Sequence, residues 1–361
     1  MSTGLERPET NAELAAALPS VVTRVRQLPG WSPWGILGAT AVVVGGGTLL
    51  LGHGIGLAVT LTAVVYAVAM YVASRVVEGP RKATDRLVTI LVTAAFLVAM
   101  APLVSVVVTV VANGIARFDV EFFTYSMRGV VGEGGGGYHA IVGTLIITAL
   151  AALMSIPVGL LTAVYLVEYG KGKLARAITF FVDVMTGIPS IVAGLFAFAL
   201  FALFFGPGVR MGFMGSVALC VLMIPVVVRS TEEMLKIVPN ELREAAYALG
   251  VPKWRTITKV VIPTSVAGIA SGITLAIARV IGETAPLLIA VGITTGVNLN
   301  PFDGRMATLP VFSYYSYVAP GVPREPFIDR AWTAALVLIV LVMALNLLAR
   351  LIARAFAPKT R

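Results

Sequence analysis

The stretch Leu87–Val111 reads LVTILVTAAFLVAMAPLVSVVVTVV, twenty-five residues without one charged side chain. As an α-helix it would rise ~37 Å at 1.5 Å per residue, more than the ~30 Å hydrocarbon core of a bilayer. Inside lipid every backbone N–H and C=O must find its partner within the protein, which an isolated apolar segment achieves only as a helix. The stretch therefore predicts a membrane-spanning helix. Arg81, Lys82 and Arg86 stand just before it, and a polar, Gly-rich segment follows.

The rest of the chain repeats this pattern. Of 361 residues, 58% are hydrophobic and only 12% are charged, about half the ~25% charged of soluble domains. Eight segments read as spans: 35–51, 55–74, 87–111, 140–167, 178–205, 215–228, 264–295 and 331–352. The predicted fold class is an all-α integral membrane protein of about eight helices. Lys and Arg choose its orientation. Twenty of the 27 fall in the two tails and in the stretches 75–86, 168–177 and 229–263, against six in the alternate loops. Both termini and the 229–263 loop are thus expected in the cytoplasm of a bacterial plasma membrane. No cleavable signal is evident in the first 34 residues, which read as a polar tail. Cys220 lies in an apolar run and reads as inert packing.

Several chemistries lack support in the sequence. Gly132–Gly137 contains five glycines, but no Gly-Lys-Ser/Thr follows, and Gly170-Lys171-Gly172-Lys173 fails the same test. The first run reads as a flexible connector. With no nucleotide motif in the chain, any ATP-Mg chemistry belongs to a partner, and no enzymatic activity is expected. His53 and His139 sit at span edges far apart in sequence, and no cluster has metal spacing. A second intramembrane acidic chain of the kind a proton relay needs is also missing, which disfavours a secondary transporter.

The 239–254 loop is the most structured of the polar segments. Leu235, Val238, Leu242, Ala245, Ala246 and Leu249 recur at helical spacing and give one apolar face. Pro239 suits a first turn, Glu241 and Glu244 suit the positive helix start, Gly250 suits the stop, and Pro252 prevents continuation. Such a helix could lie on the membrane surface or present a face to a soluble partner.

Here the sequence resembles a known family. Glu244-Ala245-Ala246, then Gly250, then Val260 and Ile262 before Pro263, is similar to the EAA loop of type I ABC importer permeases. The resemblance implies that the loop docks on a separate ATPase subunit, with Glu244, Ala245, Ala246 and Gly250 as coupling residues.

Arg279 and Glu283 lie four apart inside the predicted span 264–295 and so are expected on one helix face. Each costs roughly 2.5–3.5 kcal/mol near the bilayer centre unless paired or wetted. Arg279 falls ~23 Å along the helix, in the outer half of the membrane. An ion pair that packs two helices and a gate on an anion path both fit. The run Ala278-Arg279-Val280-Ile281-Gly282-Glu283-Thr284-Ala285-Pro286-Leu287-Leu288 resembles the PstA half of the phosphate permease pair, as do Ser155–Tyr169 and Gly187–Leu195. This resemblance, over roughly residues 82–352, implies a substrate pathway through Arg279, Glu283 and Thr284. It also implies the partners: a PstC-like sister permease, a homodimeric PstB-like ATPase and an extracytoplasmic PstS-like phosphate-binding protein. Sulfate or molybdate is the alternative cargo.

Gly187 and Pro189 fall inside the span 178–205, where proline frees a carbonyl and kinks the helix. A hinge at Gly187, Pro189 and Ser190 is one reading, with Ser190 capping the freed groups. Asp183, near the cytoplasmic end of that span, reads as a snorkelling residue or an interhelical contact rather than a catalytic one. The expected layout is a tail at 1–34, an extra hairpin at 35–81, a helix and loop at 82–139, a core permease at 140–352 and a basic tail at 353–361.

Overall fold

The structure, a computed structural model, describes residues 27–356. Most of both predicted tails, with Arg7, Arg24, Arg26, Lys359 and Arg361, lies outside the described residues. Among those residues the secondary structure is helical throughout, and the chain divides into two compact units at Val106/Val107.

The first unit holds α1 (Ser32–Leu50), α2 (Ile55–Val77) and the start of α3 (Pro80–Arg117). The glycine run 45–47 has a packing purpose: a Cβ on Gly45 would lie 3.0 Å from Thr62 Oγ1, so α1 approaches α2 closely there. Val68, Val72, Val88, Val92 and Leu97 are exposed, as lipid-facing side chains should be. The turn from α2 to α3 is pinned by Glu78. Its carboxylate accepts from the Arg86 Nε (2.7 Å) and Nη2 (2.8 Å), from the Ser74 hydroxyl (2.7 Å) and from the Leu28 N–H (3.0 Å). Those donors, Arg86 above all, hold the Glu78 carboxyl far below the usual carboxylate range, at about 2.

The second unit contains the end of α3, α4 (Val120–Thr124), α5 (Tyr138–Tyr169), α6 (Lys173–Thr186), α7 (Ser190–Phe205), α8 (Gly212–Ile237), α9 (Asn240–Ala248), α10 (Lys253–Val280), α11 (Ala285–Ala290), α12 (Leu309–Val318) and α13 (Glu325–Phe356). Helix α8 is its centre and packs on α5, α7 and α10. Ile147 and Ala151, Met214, Leu219, Met223 and Val227, Ala276 and Leu287 form the core. Lipid tails are as apolar as leucine, so helices in a membrane gain by close contact rather than by burial, and glycine permits it. An added Cβ at Gly159 would meet Val227 at 2.6 Å, and one at Gly143 would meet the Ala307 carbonyl at 2.0 Å.

Seven described helices are long and apolar enough to span, and eight when α6 and α7 count as one bent span. Three expectations are corrected. The span 178–205 is not one kinked helix: α6 and α7 meet at 109°. The span 264–295 ends early, because α10 stops at Val280 and the separate α11 begins at Ala285. The span 215–228 extends to Ile237, because Glu232 pairs with Arg229 (2.8 Å) and Lys236 (2.7 Å) along its own surface and carries the helix on through polar sequence.

The Gly132–Gly137 run is also not a loose connector. Its Gly132 and Gly134 carbonyls accept from Arg330 Nη1 at 2.8 and 2.7 Å, and the Gly135 carbonyl accepts from Arg117. Gly136 and Gly137 press against Phe122, where a Cβ would lie 2.6 Å from its backbone and 2.5 Å from its ring.

Candidate coupling and translocation sites

The predicted coupling helix forms as α9. Pro239 precedes its first residue, and Gly250 terminates it at φ +75°, a left-handed conformation that disfavours any side chain. Its apolar face is divided, contrary to expectation. Leu235, Val238 and Ala246 point into the unit, whereas Leu242, Ala245, Tyr247 and Leu249 are exposed. Glu244 and Gly250 are exposed beside them. The reason is that Leu235 and Val238 belong to the end of α8 and its turn rather than to α9, so the helical period does not run through them.

Arg243 turns the other way, into the protein. Its guanidinium donates to Glu168 at the end of α5 (3.0 and 2.9 Å), to the carbonyls of Val238 (2.6 Å) and Leu235 (2.9 Å), and to Asn240 Oδ1 (3.2 Å). Lys253, just past the Gly250 turn, donates to the Glu168 carbonyl and lies 4.7 Å from the Tyr169 ring centre. Sequence reasoning missed Glu168 and Lys253. Glu168 is the lone acid at the end of an apolar run, with basic residues after it, and that was a usable signal.

Arg279 and Glu283 do not share a helix face. Arg279 lies one residue before the end of α10, and Glu283 lies in the turn that follows. Among the described residues neither side chain has an ion-pair or hydrogen-bond partner, so the expected resting pair is absent. Thr284 lines a cavity of about 580 Å³ together with Gly282, Ala285, Ser313, Tyr314 and Ile191. Ile191 sits in the first turn of α7, immediately after the predicted hinge. Gly187, Pro189 and Ser190 occupy the 109° corner itself, with Gly187 closing α6 and Pro189 preceding α7. Ser190 supplies no cap. Gly194, one turn on, touches Pro286, where a Cβ would meet the Pro286 Cα at 2.6 Å. Thus the 282–285 segment and the start of α7, far apart in sequence, border one cavity. Asp183 of α6 pairs with Arg229 of α8, which is the interhelical contact of its two readings.

His139 and Arg330 were assigned no role in the sequence. His139 is buried with its ring edge-on to Phe312 at 5.2 Å, and neither nitrogen has a partner in the structure. Arg330 is fully buried and lies 4.5 Å from the centre of the Phe327 ring. No group of His, Cys, Asp and Glu among the described residues could hold a metal ion.

Residues 155–361 match the family described as "Binding-protein-dependent transport system inner membrane component". The chain is 49% identical over 278 residues to the phosphate transport system permease protein PstA of Mycobacterium leprae, covering 76% of this chain and 90% of the relative. It is 50% identical over 260 residues to PstA 1 of Mycobacterium tuberculosis, covering 71% and 84%. This chain belongs to the PstA permease family.

The fold is also that of solved importers. A bacterial alginate ABC transporter matches with TM-score 0.53 at 14% identity, over 77% of this chain and 96% of that one. This member of the family is therefore a multi-pass membrane permease, a transport subunit rather than an enzyme. Family membership implies an ATPase and a substrate-binding protein as partners.

Proposed function

We propose that this permease forms half of the translocation pathway of an ATP-driven importer of inorganic phosphate. The observation that carries the reading is 49–50% identity to PstA chains over most of their length, in a structure where unpaired Arg279 closely precedes a helix break whose Gly282 and Thr284 line a cavity. An unpaired guanidinium offers forked donors to a tetrahedral oxyanion. In this reading Arg279, Glu283 and Thr284 form the pathway or gate. Glu283, set apart from Arg279, disfavours a second anion while Arg279 attracts one. Gly187, Pro189 and Ser190 act as the hinge of the α6–α7 corner.

Glu244, Ala245, Ala246 and Gly250 couple the permease to a PstB-like ATPase homodimer that holds the ATP-Mg. A PstC-like permease completes the pathway, and a PstS-like protein delivers phosphate from the far side. Both termini and the 229–263 loop face the cytoplasm, supported by the twenty-to-six distribution of Lys and Arg. Residues 140–352 act as the permease core, with 35–81 as an added hairpin and 82–139 as its connecting helix and loop. The test is uptake of labelled phosphate by cells lacking this gene and other phosphate importers, with and without the gene restored. Restored uptake, resisting excess sulfate and competed by arsenate, is expected. Uptake of sulfate or molybdate instead would reassign the cargo.

A further inference from the structure

The cytoplasmic end of α5 is gripped from both sides of the Gly250 turn. On one side, Arg243 of α9 spends its guanidinium on five contacts to four acceptors: two to one oxygen of the Glu168 carboxylate, and one each to the Leu235 and Val238 carbonyls and Asn240 Oδ1. On the other, Lys253 at the start of α10 holds the Glu168 carbonyl and covers the Tyr169 ring. The Glu168 side chain is only 5% exposed and that of Arg243 only 12%. Charge-assisted bonds made in such a setting are short, directional and costly to break singly, because the remaining charge would be left buried. The gripped segment, Tyr165–Tyr169, is a π-turn, a wider and weaker winding often found at functional sites.

We propose that Glu168, Arg243 and Lys253 form a clasp that makes α5 a driven element of the transport cycle. Helices α8 and α10 are tied to α9 by the chain itself. Helix α5 is not continuous with that loop, so only side chains can pass α9's movement to it. The carbonyls that Arg243 holds at Leu235 and Val238 lock α9 to the end of α8, and its Glu168 bond extends that rigid piece to α5. Movement at α5 matters along its whole length, because Gly159 touches Val227 and Gly143 touches the Ala307 backbone. Arg243, Glu168 and Lys253 are positioning residues in this account. They touch neither cargo nor nucleotide.

The inference rests on the coupling role proposed for α9. Its test uses the full transporter, with sister permease and ATPase, reconstituted in vesicles with the phosphate-binding protein. The reading is phosphate moved per ATP hydrolysed. Arg243→Gln and Glu168→Gln keep size and donor or acceptor capacity but remove the ion pair. Both are expected to lower this ratio by about tenfold or more while the ATPase still co-purifies, within the range typical of site-to-site coupling. Arg243→Lys, which keeps the charge, should recover part of it. A second measurement needs no transport: spin labels at Lys171, just past α5, and at Tyr247 should keep one separation with and without ATP when the clasp is intact. In Arg243→Gln that separation should broaden or shift. Wild-type coupling in Arg243→Gln together with an unchanged label distance would overturn the clasp. A wild-type complex that hydrolyses ATP but moves no phosphate would instead overturn the functional reading, and the spin-label result would still decide the clasp.

Discussion

Gly194→Ala should damage the cavity without touching α9, and the size of the effect follows from the structure. A Cβ at Gly194 would sit 2.6 Å from Pro286 Cα, 2.9 Å from the Pro286 carbonyl oxygen and 3.2 Å from its carbon. All three are backbone atoms, so no rotamer change relieves them. Ordinary contact begins near 3.4 Å, so the start of α11 must retreat by about 0.8 Å. Overpacking of this kind costs about 1–3 kcal/mol, or about 2–12 °C of Tm for a unit of this size. Thr284 and Ala285 lie just before Pro286 and line the cavity, so uptake should fall at equal abundance. The assay is thermal unfolding of the purified protein in detergent beside phosphate uptake in cells. Gly38→Ala is the control. A Cβ at Gly38 has nothing within 4 Å, and replacing a helical glycine should leave stability unchanged or raise it by about 0.5–1 kcal/mol. If Gly194→Ala unfolds within about 1 °C of wild type, the close packing of α7 on α11 is not what the structure describes.

Other perturbations probe separate parts of the molecule. Gly250→Val places a β-branched residue at φ +75°, strained by at least ~1–2 kcal/mol. It should leave the protein in the membrane yet separate ATP hydrolysis from uptake, so unchanged uptake would count against the coupling role. Arg279→Ala should abolish phosphate uptake while the complex still assembles, and wild-type uptake in that variant would remove Arg279 from the pathway. Glu78 has its pKa lowered from 4.5 to about 2, so the stability it adds is fully present above about 4.5 and is lost as pH falls toward 2. The Tm difference between wild type and Glu78→Gln should therefore be largest at neutral pH and shrink across that window. A difference that does not change with pH would show that the clasp at Glu78 is not ionic.

The sequence foretold what depends on composition and local chemistry. Spans followed from hydropathy, and α9 followed from Pro239, Gly250 and Pro252, because turn and cap residues act within a few positions. It failed where distant partners decide. The Arg279–Glu283 pairing assumed that a helical period continues through Ile281 and Gly282. In fact Pro286 demands an open N–H position near a helix start, and α10 has already ended at Val280. Arg330 looked like an ordinary loop cation, yet its partners Gly132 and Gly134 are 198 and 196 residues away. No local rule connects them. Likewise Pro189 signalled a kink, but the size of the bend, 109°, goes with the packing of α6 on α8, which no local rule supplies.

The two misjudged helices share a cause. A backbone break at membrane depth leaves N–H and C=O groups without helical partners, and lipid cannot supply them. Such breaks persist only where protein or a water-filled space meets them. The α6–α7 corner and the α10–α11 break fulfil that condition together, since Ile191 and Thr284 line one cavity and Gly194 seats Pro286 against α7. Interrupted helices meeting at one cavity are the arrangement in which a permease offers polar groups to a charged solute. The departures from regular helix therefore coincide at one cavity. Two of the three runs that resemble PstA, 187–195 and 278–288, meet there through Gly194 and Pro286.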